Sequence, residues 1–432
     1  MKKTPLLALL LGVTFLFSCN RFREIIHPDK PGKGKPFREY SNRIILDWNA
    51  VAQKTMEGPA YASLLSSRLA MVHLAMHDAL NAIAPVYQTY ALQSRDSQAE
   101  PVAAAASAAH AVLLASFPDK QTLLDSALNQ SLATVAAGEG KTRGIALGKQ
   151  AGQALVGMRQ NDGAFGNPIG EVNNPLEPGF YQPVPPTPFV FAPFWATMPP
   201  FSLESPSQFR SVPQPALDSK AYADAFHEVK TVGVKNSQTR TADQTAYAKY
   251  WYELSEIGWN RITRIAATDQ KLDLLTTARL LALVNMALTD SYTAGWDSKF
   301  YYNFWRPYTA IRAAETDGNP ATAADEAWEP LLDTPPVHDY PSTHSALGNA
   351  ATTVLASLLG DKTKFTMTSP SADPANATRS FYSFSQAAKE NADSRVMAGI
   401  HFRFACQAGL ELGHQVGKWT VEKHLRPLAQ PK

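Results

Sequence analysis

Residues 341–359 read PSTHSALGNAATTVLASLL. Pro341 and Ser342 are typical of a helix start, and the small and apolar residues after them favour a helix. The first turn of a helix leaves its backbone N–H groups without partners inside the helix. The Ser342 hydroxyl, the His344 imidazole and these N–H groups therefore gather at one helix end, which is a favourable place for an oxyanion.

A second stretch, residues 299–307, reads KFYYNFWRP. Lys299 and Arg306 are seven residues apart and would share one face of a continuous helix. Pro307, however, disfavours helical geometry at Arg306 and predicts an element boundary there. In either case two cations lie close together among aromatic residues. Because unpaired cations are costly in such surroundings, we expect an anion as their partner.

The third stretch, residues 394–401, reads SRVMAGIH. On one unbroken helix Arg395 and His401 would point about 120° apart, and Gly399 offers a bend that lets both face one pocket. With the two cations of the second stretch, the three segments supply a charge of +3. Such a set fits a tetrahedral oxyanion with up to three negative charges, since Arg gives forked hydrogen bonds and Lys a point charge.

In this order and spacing the three segments resemble the superfamily of vanadium-dependent haloperoxidases and type 2 phosphatidic acid phosphatases. Its signature is a Lys and an Arg-Pro with six residues between them, then Pro-Ser-Gly-His, then Ser-Arg and a His with five between. All three parts are present, with Thr343 where Gly is usual, and its side chain would crowd the oxyanion. Residues 42–49, the helix predicted from Arg68 to Ile83 and a Pro-rich connection resemble the bacterial haloperoxidase-like lipoprotein branch. The resemblance covers most of residues 42–426.

The resemblance implies a role for each matching residue. His401 would bond vanadium axially in a haloperoxidase, or attack phosphorus in a phosphatase. His344 would be the acid–base residue, and Lys299 would also polarise the peroxide. The cofactor so implied is vanadate, and its oxygens would be bound by Lys299, Arg306, Arg395, Ser342 and the backbone N–H of Thr343.

The same residues do not separate a peroxidase from a phosphatase, because vanadate and phosphate have the same shape and similar charge. In the phosphatases an Asp four residues after the last histidine orients it, whereas this chain has Ala405 there, which favours vanadate. By resemblance, the candidates for a halide site are Trp296, Val337 and His338. Since the last two do not match the best-known chloride- or bromide-selective patterns, we predict that hydrogen peroxide oxidises iodide or bromide to hypohalous acid. The alternatives are a secreted acid phosphatase with His401 as nucleophile and a non-catalytic lipoprotein that binds an oxyanion.

The rest of the chain predicts a mainly α-helical fold. Helical spacing of apolar residues or helix-favouring runs occur at 63–83, 102–117, 122–136, 141–158, 218–232, 242–254 and 272–294. Residues 162–215 are rich in Pro and aromatic residues, which excludes a helix and favours a connection packed across the surface. We therefore predict two helical bundles of the vanadium haloperoxidase type, residues 42–161 and 216–432, with the oxyanion site in the second.

Composition excludes several other classes of protein. The 432 residues include 40 Lys and Arg and 38 Asp and Glu, a balance that argues against a nucleic-acid-binding protein. Two cysteines, Cys19 and Cys406, are too few for a disulfide framework or a cysteine-type zinc site. We expect Cys406 to be a buried small apolar residue.

The first residues predict an export signal rather than part of the fold. Residues 1–18 combine two lysines with an apolar run too short to span a bilayer, the pattern of an export signal. The sequence Leu-Phe-Ser-Cys that ends at Cys19 resembles a bacterial lipobox. We therefore expect lipidation of Cys19, a polar tether over residues 19–41 and a membrane-anchored lipoprotein of the periplasm or cell surface. A homo-oligomer is compatible with the sequence.

Three further features of the sequence are weaker indications of function. His73 and His77 are four residues apart beside an Asp and could hold a metal, but without a third ligand we favour structural packing. Glu253 is expected to pair with one of the site cations. Asp339, beside the oxyanion segment, is expected to tune its protonation or to contact substrate.

Overall fold

The computed structural model describes residues 37, 39–172 and 176–429, and all structural statements below refer to these ranges. The predicted export signal, Cys19 and most of the predicted tether lie outside the described residues. Among the described residues, none of the helices combines the length and the apolar character needed to cross a bilayer.

Helices make up most of the described fold, which confirms the predicted mainly α class. The first part of the chain forms α1 (Arg43–Thr55), α2 (Leu65–Ile83), α3 (Pro101–Ser116), α4 (Gln121–Ala133) and α5 (Glu139–Arg159). The second part forms α6 (Lys220–Val232), α7 (Ala242–Tyr250), α8 (Ser255–Asp269), α9 (Leu274–Tyr302), α10 (Pro307–Arg312), α11 (Thr343–Leu359), α12 (Phe384–Met397) and α13 (Arg403–Lys423). Two short antiparallel pairs join β1 (Ile169–Gly170) to β2 (Val190–Phe191) and β3 (Phe365–Thr368) to β4 (Thr378–Phe381).

Two helix pairs approach closely because glycines stand where the helices touch. In the first, α5 lies on α3, and a Cβ at Gly148 would be only 2.2 Å from the carbonyl oxygen of Ala104. In the second, α13 lies on α11, and a Cβ at Gly413 would be 2.0 Å from the carbonyl oxygen of Ala346. The second contact fixes the start of α11, where the predicted oxyanion segment lies.

Helix α9 connects the two halves of the molecule. It is almost wholly buried and packs on α2 as well as on α11 and α13. One apolar core runs through both halves, from Ile44 to Leu425. The helix continues two turns beyond the predicted end at Ala294 and stops at Asn303, whose φ of +49° is left-handed. Lys299 therefore lies in its last turn.

The Pro-rich connection packs against these helices, as its aromatic residues predict. Tyr181 and Trp195 are buried. The buried Asp290 carboxylate of α9 accepts hydrogen bonds from the backbone N–H groups of Phe201 and Ser202, both at 2.6 Å. These bonds pin the connection to the helix that carries Lys299.

Candidate active site

The start of α11 is arranged to receive a ligand. Ser342 is its N-cap residue, but its side chain makes no capping hydrogen bond. Instead its N–H donates to the carbonyl oxygen of Ala405 at 2.9 Å, and its hydroxyl accepts from Ser345 at 3.0 Å. The first N–H groups of the helix, including that of Thr343, are therefore left for another acceptor.

Lys299 and Arg306 are held by the carbonyl groups of one short segment, residues 337–339. Lys299 Nζ donates to His338 O at 2.6 Å and to Asp339 O at 3.1 Å. Arg306 Nε donates to Val337 O at 2.6 Å. Arg306 lies beyond the end of α9 as the N-cap residue of α10, so the predicted element boundary is confirmed, and the two cations converge without sharing a helix.

Arg395 and His401 reach the same region from the end of α12. Gly399 has a φ of +80°, which supplies the bend that the sequence predicts. Arg306 Nη1 lies 3.0 Å from Nε2 of His401. Arg395 Nη1 donates to Trp251 O at 3.2 Å, but its buried Nε has no hydrogen-bond partner among the described residues.

Asp339 brings a carboxylate to His401. Its Oδ1 lies 2.8 Å from His401 Nδ1 and 3.8 Å from Arg306 Nη1, and the residue is fully buried. The expectation that His401 is unoriented, drawn from Ala405, is therefore wrong. A carboxylate is present, but it comes from a segment 62 residues earlier in the chain.

His344 lies at the edge of the site on α11. Its Nε2 is 3.1 Å from the backbone carbonyl oxygen of Glu253. The Glu253 carboxylate pairs with Arg261 through two contacts of 2.8 Å. The prediction that Glu253 pairs with a site cation is wrong, because its carboxylate is paired with Arg261 of α8.

Burial shifts the pKa of every charged group in the site. Burial and the nearby Arg306 lower the pKa of Lys299 well below its usual value. Burial lowers the pKa of Arg395 to about 10. Burial raises the pKa of Asp339 to about 7, against the opposite effect of the two neighbouring cations. Three buried cations thus face one carboxylate, and an added anion would compensate the excess positive charge.

Both histidines of the site are neutral. Burial and the charge of Arg306 lower the pKa of His401 well below its usual value. Burial and the charge of Arg395 do the same to His344, with further contributions from Arg306 and Lys299. The charges of the same three cations thus act on both imidazoles.

The halide-site candidates lie beside Lys299. The ring of Trp296 has its centroid 6.0 Å from Lys299 Nζ, and its Nε1 donates to Phe191 O at 3.1 Å. The His338 ring lies between Tyr181 and Phe300, with centroid distances of 4.8 and 4.7 Å.

The sequence analysis did not identify the aromatic partners of His338. One of them, Tyr181, lies in the connection whose richness in aromatic residues was the available signal. Burial, with the charges of Lys299 and Arg306, lowers the pKa of His338 to about 3. Val337 contributes its carbonyl group to Arg306, as described above, and this is a contact that a side-chain pattern does not reveal.

The residues present fit a tetrahedral oxyanion. The unpartnered Nε of Arg395, the free helix N–H groups and the excess positive charge all call for an anionic acceptor. The neutral imidazole of His401 offers a nitrogen lone pair beside them. Vanadate or phosphate would satisfy the same set.

The remaining candidates are structural. His73 and His77 are fully buried; the first contacts the side chain of Asn49 at 2.7 Å, and the second contacts Asp78 at 3.2 Å. Both imidazoles therefore lie in the buried core, each beside a polar side chain, as the packing interpretation predicts. Cys406 is buried, as expected.

Known proteins resemble this chain in sequence and in fold. The family profile of the VCPO second helical-bundle domain matches residues 279–430, which include all three segments of the site. The match confirms the resemblance of these segments to the vanadium-dependent haloperoxidases. The chain is 30% identical to the vanadium chloroperoxidase of Curvularia inaequalis over 72% of its length. The match spans 65% of that relative's length.

Solved structures of this superfamily have the same fold. A bacterial vanadium-dependent iodoperoxidase superposes with a TM-score of 0.78 at 25% identity, over 93% of this chain and 100% of that one. A bacterial vanadium-dependent chloroperoxidase in its apo form gives a TM-score of 0.69 at 17% identity, over 86% of this chain and 95% of that one. At that identity the second likeness shows the fold alone.

Proposed function

We propose that this protein is a vanadium-dependent haloperoxidase, which uses vanadate as its cofactor and hydrogen peroxide to oxidise iodide or bromide. The observation that carries the proposal is the convergence of three buried cations on His401 and the start of α11, where one carboxylate is present. The likeness to a vanadium chloroperoxidase and to a vanadium-dependent iodoperoxidase supports vanadate over phosphate.

Each residue of the site has a function in holding the cofactor. His401 Nε2 would donate its lone pair to vanadium. Lys299, Arg306 and Arg395 would neutralise the oxyanion, and the Ser342 hydroxyl and α11 N–H groups would bind its oxygens. When bound, vanadate would supply a Lewis-acid centre that activates hydrogen peroxide.

His344 is the group that moves protons. With Nε2–H donating to Glu253 O, the neutral ring carries its lone pair on Nδ1, which can accept a proton from hydrogen peroxide. The overall reaction consumes one peroxide, one halide ion and one proton and yields hypohalous acid and water. The proton on His344 would be returned in forming these products.

The aromatic rings beside Lys299 favour a large halide ion as the substrate. The buried rings of Trp296 and His338 and the partly buried ring of Phe300 are polarisable and lie close to a cation. Iodide and bromide are weakly hydrated and polarisable, so they are desolvated at lower cost than chloride. The iodoperoxidase neighbour supports the same choice.

A phosphatase that uses His401 as nucleophile is the second candidate. The close approach of Asp339 to His401 Nδ1, at 2.8 Å, supports it. A carboxylate at this position raises the basicity of the imidazole and stabilises the positive charge that would form on phosphoryl transfer. The absence of an Asp at Ala405 therefore no longer counts against this activity.

We also propose that the protein is exported and anchored by a lipid on Cys19. The proposal is supported by the apolar run and the lipobox-like residues before that cysteine. Mass spectrometry of the membrane-bound protein and of Cys19→Ser tests it. A diacylglyceryl mass on the wild type and its loss in the variant are expected; a protein without lipid at Cys19 would contradict it.

A paired assay on the purified full chain, dialysed against a chelator, tests the enzymatic proposal. One arm adds orthovanadate, hydrogen peroxide and iodide or bromide; the other omits vanadate and supplies a chromogenic phosphate ester. His401→Ala is the inactive variant, and His414→Ala, which changes an exposed histidine, is the matched control. Halide oxidation that is lost only in His401→Ala supports the peroxidase. Ester hydrolysis without halide oxidation would replace it with the phosphatase.

A further inference from the structure

His401 lies in a short link between two helices, and its ring is placed by two side chains. α12 ends at Met397 and α13 begins at Arg403, so no regular helix fixes the backbone at this residue. Asp339 Oδ1 lies 2.8 Å from Nδ1 of the ring, and Arg306 Nη1 lies nearer to Nε2, at 3.0 Å, than to Nδ1, at 3.4 Å. Arg306 is in turn fixed by its bonds to Val337 O and Ile400 O.

The chemistry of these two partners selects one tautomer. A guanidinium only donates hydrogen bonds, and the Asp339 carboxylate, when ionised above its pKa of about 7, only accepts them. A neutral imidazole between them is therefore most favourable with its proton on Nδ1, towards Asp339, and its lone pair on Nε2, towards Arg306. The Nε2 lone pair is the one that a bound oxyanion centre requires.

Apart from His401, Asp339 has few contacts that would explain why its carboxylate is buried. Apart from the 2.8 Å approach of Oδ1 to His401 Nδ1, the carboxylate lies 3.8 Å from Arg306 and close to the backbone N–H of Phe402. A buried carboxylate with so few hydrogen bonds is costly for the folded state. Its retention beside His401 is explained by what it does to the imidazole.

We propose that Asp339 is the positioning residue of His401, and that it holds the ring with the Nε2 lone pair directed at the oxyanion. In this chain it takes the place of the carboxylate that Ala405 cannot supply. The inference rests on the proposed function, because it assigns His401 as the residue that bonds the oxyanion's central atom.

Charge alone makes the opposite prediction, which gives a sharp test. If Asp339 only reduced the positive charge of the site, its removal would tighten binding of an anion. If it positions His401, removal of its acceptor oxygens weakens binding, since partners of a ligating histidine typically contribute tenfold to hundredfold in affinity. Asp339→Asn removes the charge but keeps an oxygen that can accept from Nδ1–H. Asp339→Ala removes both.

The first measurement is orthovanadate binding to the full chain by titration calorimetry. We expect Asp339→Ala to bind at least tenfold more weakly than wild type and Asp339→Asn to bind as tightly as wild type or more tightly. Tighter or unchanged binding by Asp339→Ala would overturn the proposal. Asp339→Leu, which has the branched shape of Asn but no hydrogen-bond acceptor, replaces Asp339→Ala if the smaller side chain prevents folding.

The second measurement does not depend on vanadate. Long-range proton–nitrogen spectra of the histidine-labelled full chain report which ring nitrogen carries the proton, and His401→Ala assigns the signal. We expect His401 to be protonated on Nδ1 in wild type and Asp339→Asn, and this preference to be lost in Asp339→Ala. A proton on Nε2 in the wild type would overturn the proposal even if vanadate binds, whereas failure of wild type to bind vanadate would count against the proposed function alone.

Discussion

The backbone of Gly399 lies directly against that of Gly233. A Cβ added to Gly399 would be 2.3 Å from the Gly233 carbonyl oxygen, and its φ is +80°. This contact allows the chain to reverse between Arg395 and His401, so that both side chains enter one site. The catalytic geometry therefore depends on a backbone contact with the end of α6.

Gly399→Ala is expected to disturb both stability and the site. The left-handed backbone alone costs about 1–3 kcal/mol for a residue with a side chain, and the clash with Gly233 adds to it. Gly360→Ala is the matched control, because Gly360 also has a positive φ, of +87°, but has no atom within 4 Å of an added Cβ. Urea denaturation should show a larger loss for Gly399→Ala, and vanadate affinity should fall in that variant alone. Equal losses in both variants would contradict the account.

Arg395→Ala is expected to separate stability from anion binding. Removing this buried cation relieves an uncompensated charge, so the ligand-free protein should be as stable as wild type or more stable. Its affinity for orthovanadate should fall at least tenfold, because one charge-assisted donor is lost. The control is Arg379→Ala, since Arg379 pairs with Asp243 and Glu390. Arg379→Ala should lose stability and retain its affinity for orthovanadate. If Arg395→Ala instead lost stability and retained affinity, Arg395 would be a structural residue.

Arg261→Ala is expected to destabilise the protein by about 2–4 kcal/mol, because it leaves the Glu253 carboxylate buried without its partner. Arg43→Ala provides the comparison. Arg43 and its partner Asp47 are 81% and 56% exposed, and such surface pairs contribute about 0–1 kcal/mol. Thermal and chemical denaturation measure both losses. If the two variants were equally stable, the ion pair of Arg261 and Glu253 would have no structural importance.

The lowered pKa of the buried His73 predicts that the fold loses stability at acidic pH. Burial, with the charge of Arg264, lowers its pKa to about 3, whereas in the unfolded chain it titrates near its ordinary value of about 6.5. Between these values the unfolded state binds one more proton, so the free energy of unfolding falls as the pH falls. Above pH about 6.5 the effect disappears.

Replacing His73 tests this linkage. His73→Gln should reduce the slope of unfolding free energy against pH by about 1.4 kcal/mol per pH unit between about pH 6 and pH 4. Denaturant titrations at several pH values measure the slope. His414→Gln, at an exposed position, should leave it as in wild type. An unchanged slope in His73→Gln would show that the buried imidazole titrates normally.

The sequence predicts most of the helices and the side chains that converge on the site. Lys299, Arg306 and His401 could be found because each lies in a short stretch with a recognisable order of residues. The predicted helix ends were less accurate: α9 continues to Tyr302, and Trp296 and Lys299 are still buried beyond the predicted end at Ala294.

Contacts between distant segments were beyond the reach of the sequence. Asp339 and Glu253 were both noticed, but their partners, His401 and Arg261, depend on how helices cross. The carbonyl groups that hold Lys299 have no side-chain signature. The close approach of α13 to α11 rests on glycines such as Gly413, whose effect appears only when the facing backbone is known.

Titration of orthovanadate into the chelator-treated full chain, with the rate of peroxide-dependent triiodide formation as the readout, tests the central claim most directly. The account predicts no activity before addition, a rate that saturates at one vanadate per chain, and no vanadate-dependent rate in His401→Ala. A rate that does not depend on vanadate, or that is the same in His401→Ala, would contradict the assignment of this site.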